Sequence, residues 1–251
     1  MTPGFAPPLT APADLPHALA SRGEAVLGPD GLAALAGVPT AAFDTWKATW
    51  DDLPPDAYLR DGGRYRRRRH ASLVVAVDGG IEVAPQRPHW QPLDYNALHG
   101  GIERWFEPVE ADLLGSPAWG ALMRAFAGLA SDLRGRQPWF VEAHQFRIDT
   151  AGGIGRPTPE GAHRDGVDLV AVILVDRHGV KGGETRVFEA NGPTGLRFTL
   201  AEPWSALLLD DARVIHETTP IQPEVDGEIG WRDTLVLTLR AGAFQGPDAG
   251  G

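Results

Sequence analysis

From Trp139 to Arg240 the chain is a succession of short apolar or alternating runs separated by turn residues. They are Phe140–Ile148, Leu169–Val175, Arg186–Phe188, Gly195–Leu200, Ser205–Leu209, Arg213–Thr218 and Thr234–Arg240. Strands this short, at this spacing, bury their apolar faces by assembling into a sandwich or a barrel. The first half has a different texture, with helical periods and one early hairpin. The expected organisation is a single α+β domain. Within it, residues 1–13 form a loose Pro- and Ala-rich arm and 14–138 a helix-rich half, while 139–241 form the β core and 242–251 a flexible tail.

Local signals fill in the first half. Leu15, Ala18 and Leu19 predict a short helix ended by Gly23, followed by a strand at Ala25–Leu27 and a turn at Gly28-Pro29-Asp30-Gly31. Leu32–Ala36 predicts a second short helix. Phe43, Trp46, Lys47 and Trp50 fall at helical spacing and give an aromatic face for core packing. The basic run Arg64–Arg69 (interrupted by Tyr65) leads into a strand at Ser72–Val77, and Asp78-Gly79-Gly80 closes a hairpin. Alternate arginines of that run project to opposite faces, so at least one can point into a central cavity and bind a carboxylate. Gly100-Gly101, beside Asn96 and Arg104, reads equally as a plain loop or as backbone that approaches something closely. Pro117–Leu133 carries the longest helical pattern, with Trp119, Leu122, Met123, Phe126 and Leu129 on one face.

Composition excludes several classes of function. There is no Cys, which removes disulfides, thiolate-held zinc, iron–sulfur clusters and cysteine nucleophiles. Thirty-three acidic residues against 23 basic ones give a net charge of −10, which disfavours nucleic acid as a partner. No apolar run reaches membrane-spanning length, and Met1-Thr2-Pro3-Gly4 lacks the regions of a signal peptide, so a cytoplasmic protein is expected.

One constellation carries chemistry. In Gly161-Ala162-His163-Arg164-Asp165-Gly166, His163 and Asp165 are two positions apart, which in extended backbone sets both side chains on one side. His216 follows fifty-one residues after Asp165, within Asp211–His216. Two imidazoles and a carboxylate suit a non-haem Fe(II) ion with its opposite face open. Sixteen residues on, Arg232 opens another strand-like run with Thr234 on the same face. Each residue also has a plain structural reading: His163 in a loop, Asp165 capping the Gly166 turn, His216 buried against Glu217, Arg232 paired with Asp233 or Glu228.

His163-Arg164-Asp165, His216 and Arg232 resemble the His-x-Asp…His…Arg pattern of Fe(II)/2-oxoglutarate-dependent dioxygenases. More narrowly, His144–Ile148, Gly161–Gly166, Gly182-Gly183-Glu184-Thr185 and Arg232–Leu237 resemble the bacterial family that includes free-amino-acid hydroxylases of the isoleucine type, alongside proteins linked to biofilm, stress and motility phenotypes. The likeness runs from about Tyr58 to Arg240. It implies a double-stranded β-helix (jelly-roll, cupin-like) with flanking helices mostly from the N-terminal half. It further implies Fe(II) on His163, Asp165 and His216, and the cosubstrate 2-oxoglutarate with its far carboxylate on Arg232 and a hydrogen bond from Thr234. The reaction would hydroxylate a small polar substrate, such as a free L-amino acid, with O2, giving succinate and CO2.

On the strand Phe140–Ile148, Gln145 and Arg147 share a face and are candidates to hold a substrate carboxylate or amide, while His144 is expected in the core. His17, His70, His89, His99 and His178 are expected at surface or turn positions. The Gly- and Pro-rich segment Ala151–Glu160 reads as a lid or as a connecting loop. A non-catalytic jelly-roll protein that binds a ligand and acts in stress or biofilm behaviour is the competing reading, with a hydrolytic zinc site behind it.

Overall fold

The computed structural model describes residues 5–96 and 98–247. Twelve strands appear in chain order: β1 (Glu24–Leu27), β2 (Arg66–Val75), β3 (Ile81–Val83), β4 (Trp139–Asp149), β5 (Leu169–His178), β6 (Val180–Gly182), β7 (Thr185–Glu189), β8 (Gly195–Phe198), β9 (Ala206–Asp210), β10 (Val214–Thr218), β11 (Ile221–Pro223) and β12 (Trp231–Arg240). Five α-helices accompany them: α1 (Leu15–Arg22), α2 (Pro29–Ala36), α3 (Thr40–Asp44), α4 (Ala111–Leu114) and α5 (Pro117–Arg134).

A seven-stranded antiparallel sheet, ordered β1-β9-β5-β12-β4-β2-β3, forms the backbone of the fold. Two smaller sheets, β10-β7-β8 and β11-β6, lie against it. The architecture is the expected α+β double-stranded β-helix. Strand alternation divides the large sheet into two faces. Leu73, Val75, Val141, Ala143, Leu235 and Leu237 face the helices, where they pack with Trp46, Trp50 and Trp119. Between the sheets, Val170, Leu174, Leu207 and Leu209 pack on Val187, Phe198 and Val214. Toward the other end of that space the side chains turn polar, and there the cavity lies.

Several expectations shift by a few residues for physical reasons. The predicted turn at Gly28–Gly31 is the start of α2, because Pro29 occupies the first helical turn, where its missing N–H costs nothing. β2 begins at Arg66 rather than Ser72, because the arginine run is itself strand. The N-terminal segment is not loose where it is described: Thr10 N–H donates to Val26 O at 2.7 Å and Thr199 N–H to Phe5 O at 3.0 Å. The tail is equally engaged, with Phe244 edge-on to Phe140 at 5.0 Å. Residues 1–4 of the arm and 248–251 of the tail lie outside the described residues. No described helix is long and apolar enough to cross a membrane.

Candidate active site

His163 and His216 meet across a two-hydrogen-bond bridge, each backbone N–H donating to the other's carbonyl at 3.0 Å. That pairing brings the loop before β5 onto β10. The donor atoms of His163, Asp165 and His216 all lie within 4.8 Å of one another. His163 Nε2 is 3.9 Å from Asp165 Oδ1, and His216 Nε2 is 3.8 Å from Asp165 Oδ2. His163 Nδ1 lies 2.9 Å from the Gly161 carbonyl. As donor there it leaves Nε2, with its lone pair, toward Asp165, an arrangement typical of a metal-binding imidazole.

The Asp165 carboxylate is held by its backbone. Asp211, fully buried, accepts N–H bonds from Asp165, Gly166 and Val167 at 2.7 to 3.1 Å. Gln245 Nε2 donates to the carbonyls of Asp165 and Gly166, both at 2.9 Å. Gly166 has φ +75°, and a Cβ there would meet the Tyr95 ring at 2.6 Å, so glycine is required on both counts. Gln91 Nε2 donates to Asp165 Oδ1 at 3.1 Å and so orients the side chain itself. Burial, opposed by His163, pushes the Asp165 carboxyl up to about 6. Burial also disfavours charge on His163, but the neighbouring Asp165 and Glu160 outweigh it and its pKa is raised. His216 is driven the other way, first by burial and then by the charge on His163.

The three residues open onto a cavity of about 120 Å³. Across its floor, β12 contributes Arg232, Thr234, Val236 and Thr238. Arg232 is 3% exposed and makes no salt bridge; its Nε and Nη2 have no partner among the described residues. Burial and the nearby Arg177 push its pKa down to about 10. The pairing with Asp233 or Glu228 weighed for Arg232 does not form, because Asp233 faces the other side of β12, where Arg147 binds it at 2.7 and 2.8 Å. A Cβ on Gly183 would stand 3.8 Å from Arg232 Cδ, which locates the Gly182-Gly183 turn beside this guanidinium.

The face expected for Gln145 and Arg147 is wrong. His144, Phe146 and Ile148 line the cavity, and the intervening residues point away from it. Gln145 donates to Thr49 Oγ1 at 2.8 Å, and Arg147 binds Asp233 and Asp51, so neither reaches the cavity. His144, expected in the core, is a cavity residue. His70, His89 and His99 are buried rather than superficial, whereas His17 and His178 are exposed. The Ala151–Glu160 segment is tied down: Gly155 exchanges two backbone bonds with Ile221, and Thr158 Oγ1 both donates to Thr218 O and accepts from Thr218 N at 3.0 Å. Pro157, Thr158 and Glu160 thereby form a cavity wall.

Sequence reasoning missed a second wall. Arg66 and Arg68 on β2 and His89, Gln91 and Arg104 in the segment before α4 all line the cavity. Alternation within the arginine run was the one signal for β2. Gly100 also signalled the loop, since a Cβ there would sit 2.4 Å from the Asn96 carbonyl. Behind this wall His70, His89, Glu142 and His144 form a second cluster of potential ligands. Arg68 Nη2 lies 2.7 Å from His144 Nδ1, and Arg87 Nη1 is 3.2 Å from Glu142 Oε1. Cations in contact with two of its four members oppose a dication there, as they do not at His163, Asp165 and His216.

A protein-family model described as 2OG-Fe dioxygenase matches residues 47–238. No curated protein matches the chain. Among solved structures, that of a bsmA homolog from Methylobium petroleophilum PM1 is 51% identical, with a TM-score of 0.91 over 96% of this chain and 98% of that one. IDO from Bacillus thuringiensis gives a TM-score of 0.72 at 18% identity, covering 94% of this chain and 97% of that one. The Fe(II)/(alpha)ketoglutarate-dependent dioxygenase TqaL gives 0.70 at 16% identity, over 94% and 92%. The last two speak for the fold alone.

Proposed function

The chain belongs to the 2OG-Fe dioxygenase family, an enzyme family that uses Fe(II) and 2-oxoglutarate, and from that premise we propose that it hydroxylates a small polar substrate, specifically a free L-amino acid. In this reading His163, Asp165 and His216 hold the iron, and Arg232 with Thr234 holds the far carboxylate of 2-oxoglutarate. One observation carries it: three metal-type donors within 4.8 Å of one another share a cavity with a buried guanidinium that lacks a carboxylate. The donor set fits the metal, being two imidazoles and a carboxylate on one side of a polar cavity. The guanidinium fits the cosubstrate, because its fork binds a carboxylate through two charge-assisted hydrogen bonds.

When bound, Fe(II) and 2-oxoglutarate supply the oxidising chemistry that inserts oxygen from O2 into a C–H bond, releasing succinate and CO2. The chain's own residues orient and enclose. Gly161 O sets the His163 tautomer, Asp211 fixes the backbone of the Asp165 turn, and Gln91 sets the Asp165 carboxylate. Pro157, Thr158 and Glu160 cover one side and limit access of water. β2 and the segment before α4 close the opposite side, so both halves of the chain build one site, which supports a single-domain organisation. The polar lining and modest volume of the cavity support a small substrate.

Anaerobic titration with Fe(II) and 2-oxoglutarate tests the reading through the visible charge-transfer band of the chelate. The band is expected in the wild type, absent in His163→Ala and displaced to much higher 2-oxoglutarate in Arg232→Met. A folded wild-type protein that takes up no iron and shows no band would overturn it. Succinate release during a screen of the free L-amino acids then tests the substrate class.

A further inference from the structure

The wall opposite β10 concentrates positive charge beyond what the protein neutralises. Arg66, Arg68 and Arg104 all line the cavity and are 5%, 3% and 2% exposed. Arg66 and Arg68 reach the wall because they alternate on β2, opposite Ile148 and Phe146 of β4. Arg104 arrives from a loop, held by paired backbone bonds to His89 at 2.9 and 3.0 Å. Asp56 takes Arg66 Nε at 2.7 Å and stands 3.7 Å from Arg68 Nη1. Arg104 Nη2 has only the neutral Gln91 Oε1, at 3.0 Å. The nearby carboxylate of Glu142 is already engaged by Arg87, His70 and His89 at 3.2 to 3.3 Å.

Of the carboxylates near these three guanidiniums only Asp56 is in contact, with Glu160 and Glu142 acting on Arg104 without bonding it, and Arg66 Nη2, Arg68 Nε and Arg104 Nε have no partner among the described residues. Buried charge in this state is unfavourable until an anion joins it. Burial, with Arg66 adding to it, pushes Arg104 down to about 10, in keeping with the missing counter-charge. Arg68 is the most constrained of the three. Its guanidinium carbon lies 3.8 Å from the centre of the Phe106 ring and 4.5 Å from that of Phe146. With Nη2 against His144 Nδ1 at 2.7 Å and Nη1 toward Asp56, Nε is the donor left to take a carboxylate oxygen.

We propose that Arg66, Arg68 and Arg104 form a carboxylate subsite in which the substrate docks its acid group. The assignment of this acid to the substrate rests on the dioxygenase reading; the subsite itself does not. It is separate from the Arg232 position: Arg66 and Arg232 both pair with Ile148, from opposite sides of β4, so their backbones are two strand spacings, about 10 Å, apart. Gln91 links the subsite to the metal ligands, accepting from Arg104 and donating to Asp165. A substrate anchored at Arg104 is therefore one side chain away from the metal-ligating carboxylate, and specificity follows: acids are taken, and their amides are refused.

The test uses the full chain loaded anaerobically with Fe(II) and saturating 2-oxoglutarate, so that Arg232 is occupied. Short-chain carboxylates from acetate to hexanoate, the matching amides and inorganic phosphate are titrated by calorimetry. At least one carboxylate is expected to bind tenfold or more tightly than its amide, and Arg104→Gln to remove that preference while still forming the chelate band. Arg136→Gln, on an exposed arginine elsewhere, should change nothing. Should Arg68→Gln fail to fold because Asp56 loses a partner, Arg104→Gln, whose side chain bonds only Gln91, still decides. The proposal is overturned by equal binding of acid and amide, by an unaltered preference in Arg104→Gln, or by phosphate binding more tightly than every carboxylate. Absence of the chelate band in the wild type would refute the dioxygenase reading instead. The same titrations on iron-free Arg232→Met protein, which lacks the other cation, then judge the subsite by itself.

Discussion

Replacing Arg232 with Met should move two properties in opposite directions. In the absence of ligands the guanidinium is 3% exposed, has two unpartnered N–H groups and sits near Arg177. Its pKa of about 10, against an ordinary 12.5, corresponds to about 3 kcal/mol of disfavoured charge in the fold. Met removes that cost but fills the space less completely, so we expect a net gain of about 2 kcal/mol. For a chain of this size that raises the apo-protein Tm by about 4–8 °C. Affinity for 2-oxoglutarate should fall in the same variant. Two charge-assisted hydrogen bonds at about 1.5–3 kcal/mol each amount to at least 3 kcal/mol, or a hundredfold or more in Kd. Calorimetric melting of the apo-protein and titration of the chelate band measure the two effects separately. A lower Tm would show that Arg232 is a structural residue with partners of its own, and the argument from its isolation would be refuted.

Three further outcomes follow from the site. Asp211→Asn weakens three N–H bonds to the Asp165 turn; we expect a loss of about 3 kcal/mol and a ten- to hundredfold drop in iron affinity, read by melting and by iron titration. Buried histidines should pull stability down below pH 6.5, against Asp165 and Asp233, whose carboxyls are raised to about 6 chiefly by burial and pull the other way. His70, His89 and His144 are lowered chiefly by burial, with Arg68 adding to each; Glu142 opposes this for His70 and His89, and His89 reaches about 3. The unfolded chain takes up these protons near pH 6.5 while the fold refuses them, so stability is present above that pH and is lost toward the folded value. His89 alone, at about 3 in the fold, gives a slope of about 1 kcal/mol per pH unit near pH 5.5. Urea denaturation at several pH values measures it, and His89→Gln should reduce the slope by about that amount; an unchanged slope would show that His89 is not buried neutral. Thr158→Val should loosen the wall at Thr218, raising KM for 2-oxoglutarate or substrate several-fold with little change in Tm, since one neutral hydrogen-bond pair is worth about 1 kcal/mol.

The β core was legible because its strands are long enough to show alternation. All seven runs named from Trp139 onward are strands, while β6 and β11, of three residues each, are too short to carry a period. The convergence of His163, Asp165, His216 and Arg232 on one cavity was legible through the family resemblance, with strand face adding only that His163 and Asp165 lie on one side. Which face of β4 looks inward was not. Alternation groups Gln145 with Arg147 and His144 with Phe146, but the inward pair is decided by where the second sheet and the helices pack, and those contacts are remote in sequence. The wall carrying His89, Gln91 and Arg104 escaped for a related reason. Its residues lie in irregular backbone whose partners, Glu142 and Asp165, are 53 and 74 positions away.

The arginine run on β2 has a consequence for how the register of that strand is held. Arg66 and Arg68 face the cavity while Arg67 and Arg69 face away, and all four positions hold the same residue type. A one-residue slip of the strand, which ordinarily exchanges its inner and outer side chains, would in one direction exchange Arg66 and Arg68 for Arg67 and Arg69, and in the other bring Tyr65 and Arg67 inward. In the first direction the cationic wall is thus encoded redundantly. What resists such a slip is therefore not the arginines but Leu73 and Val75 farther along β2, whose apolar side chains would leave the helix-side core.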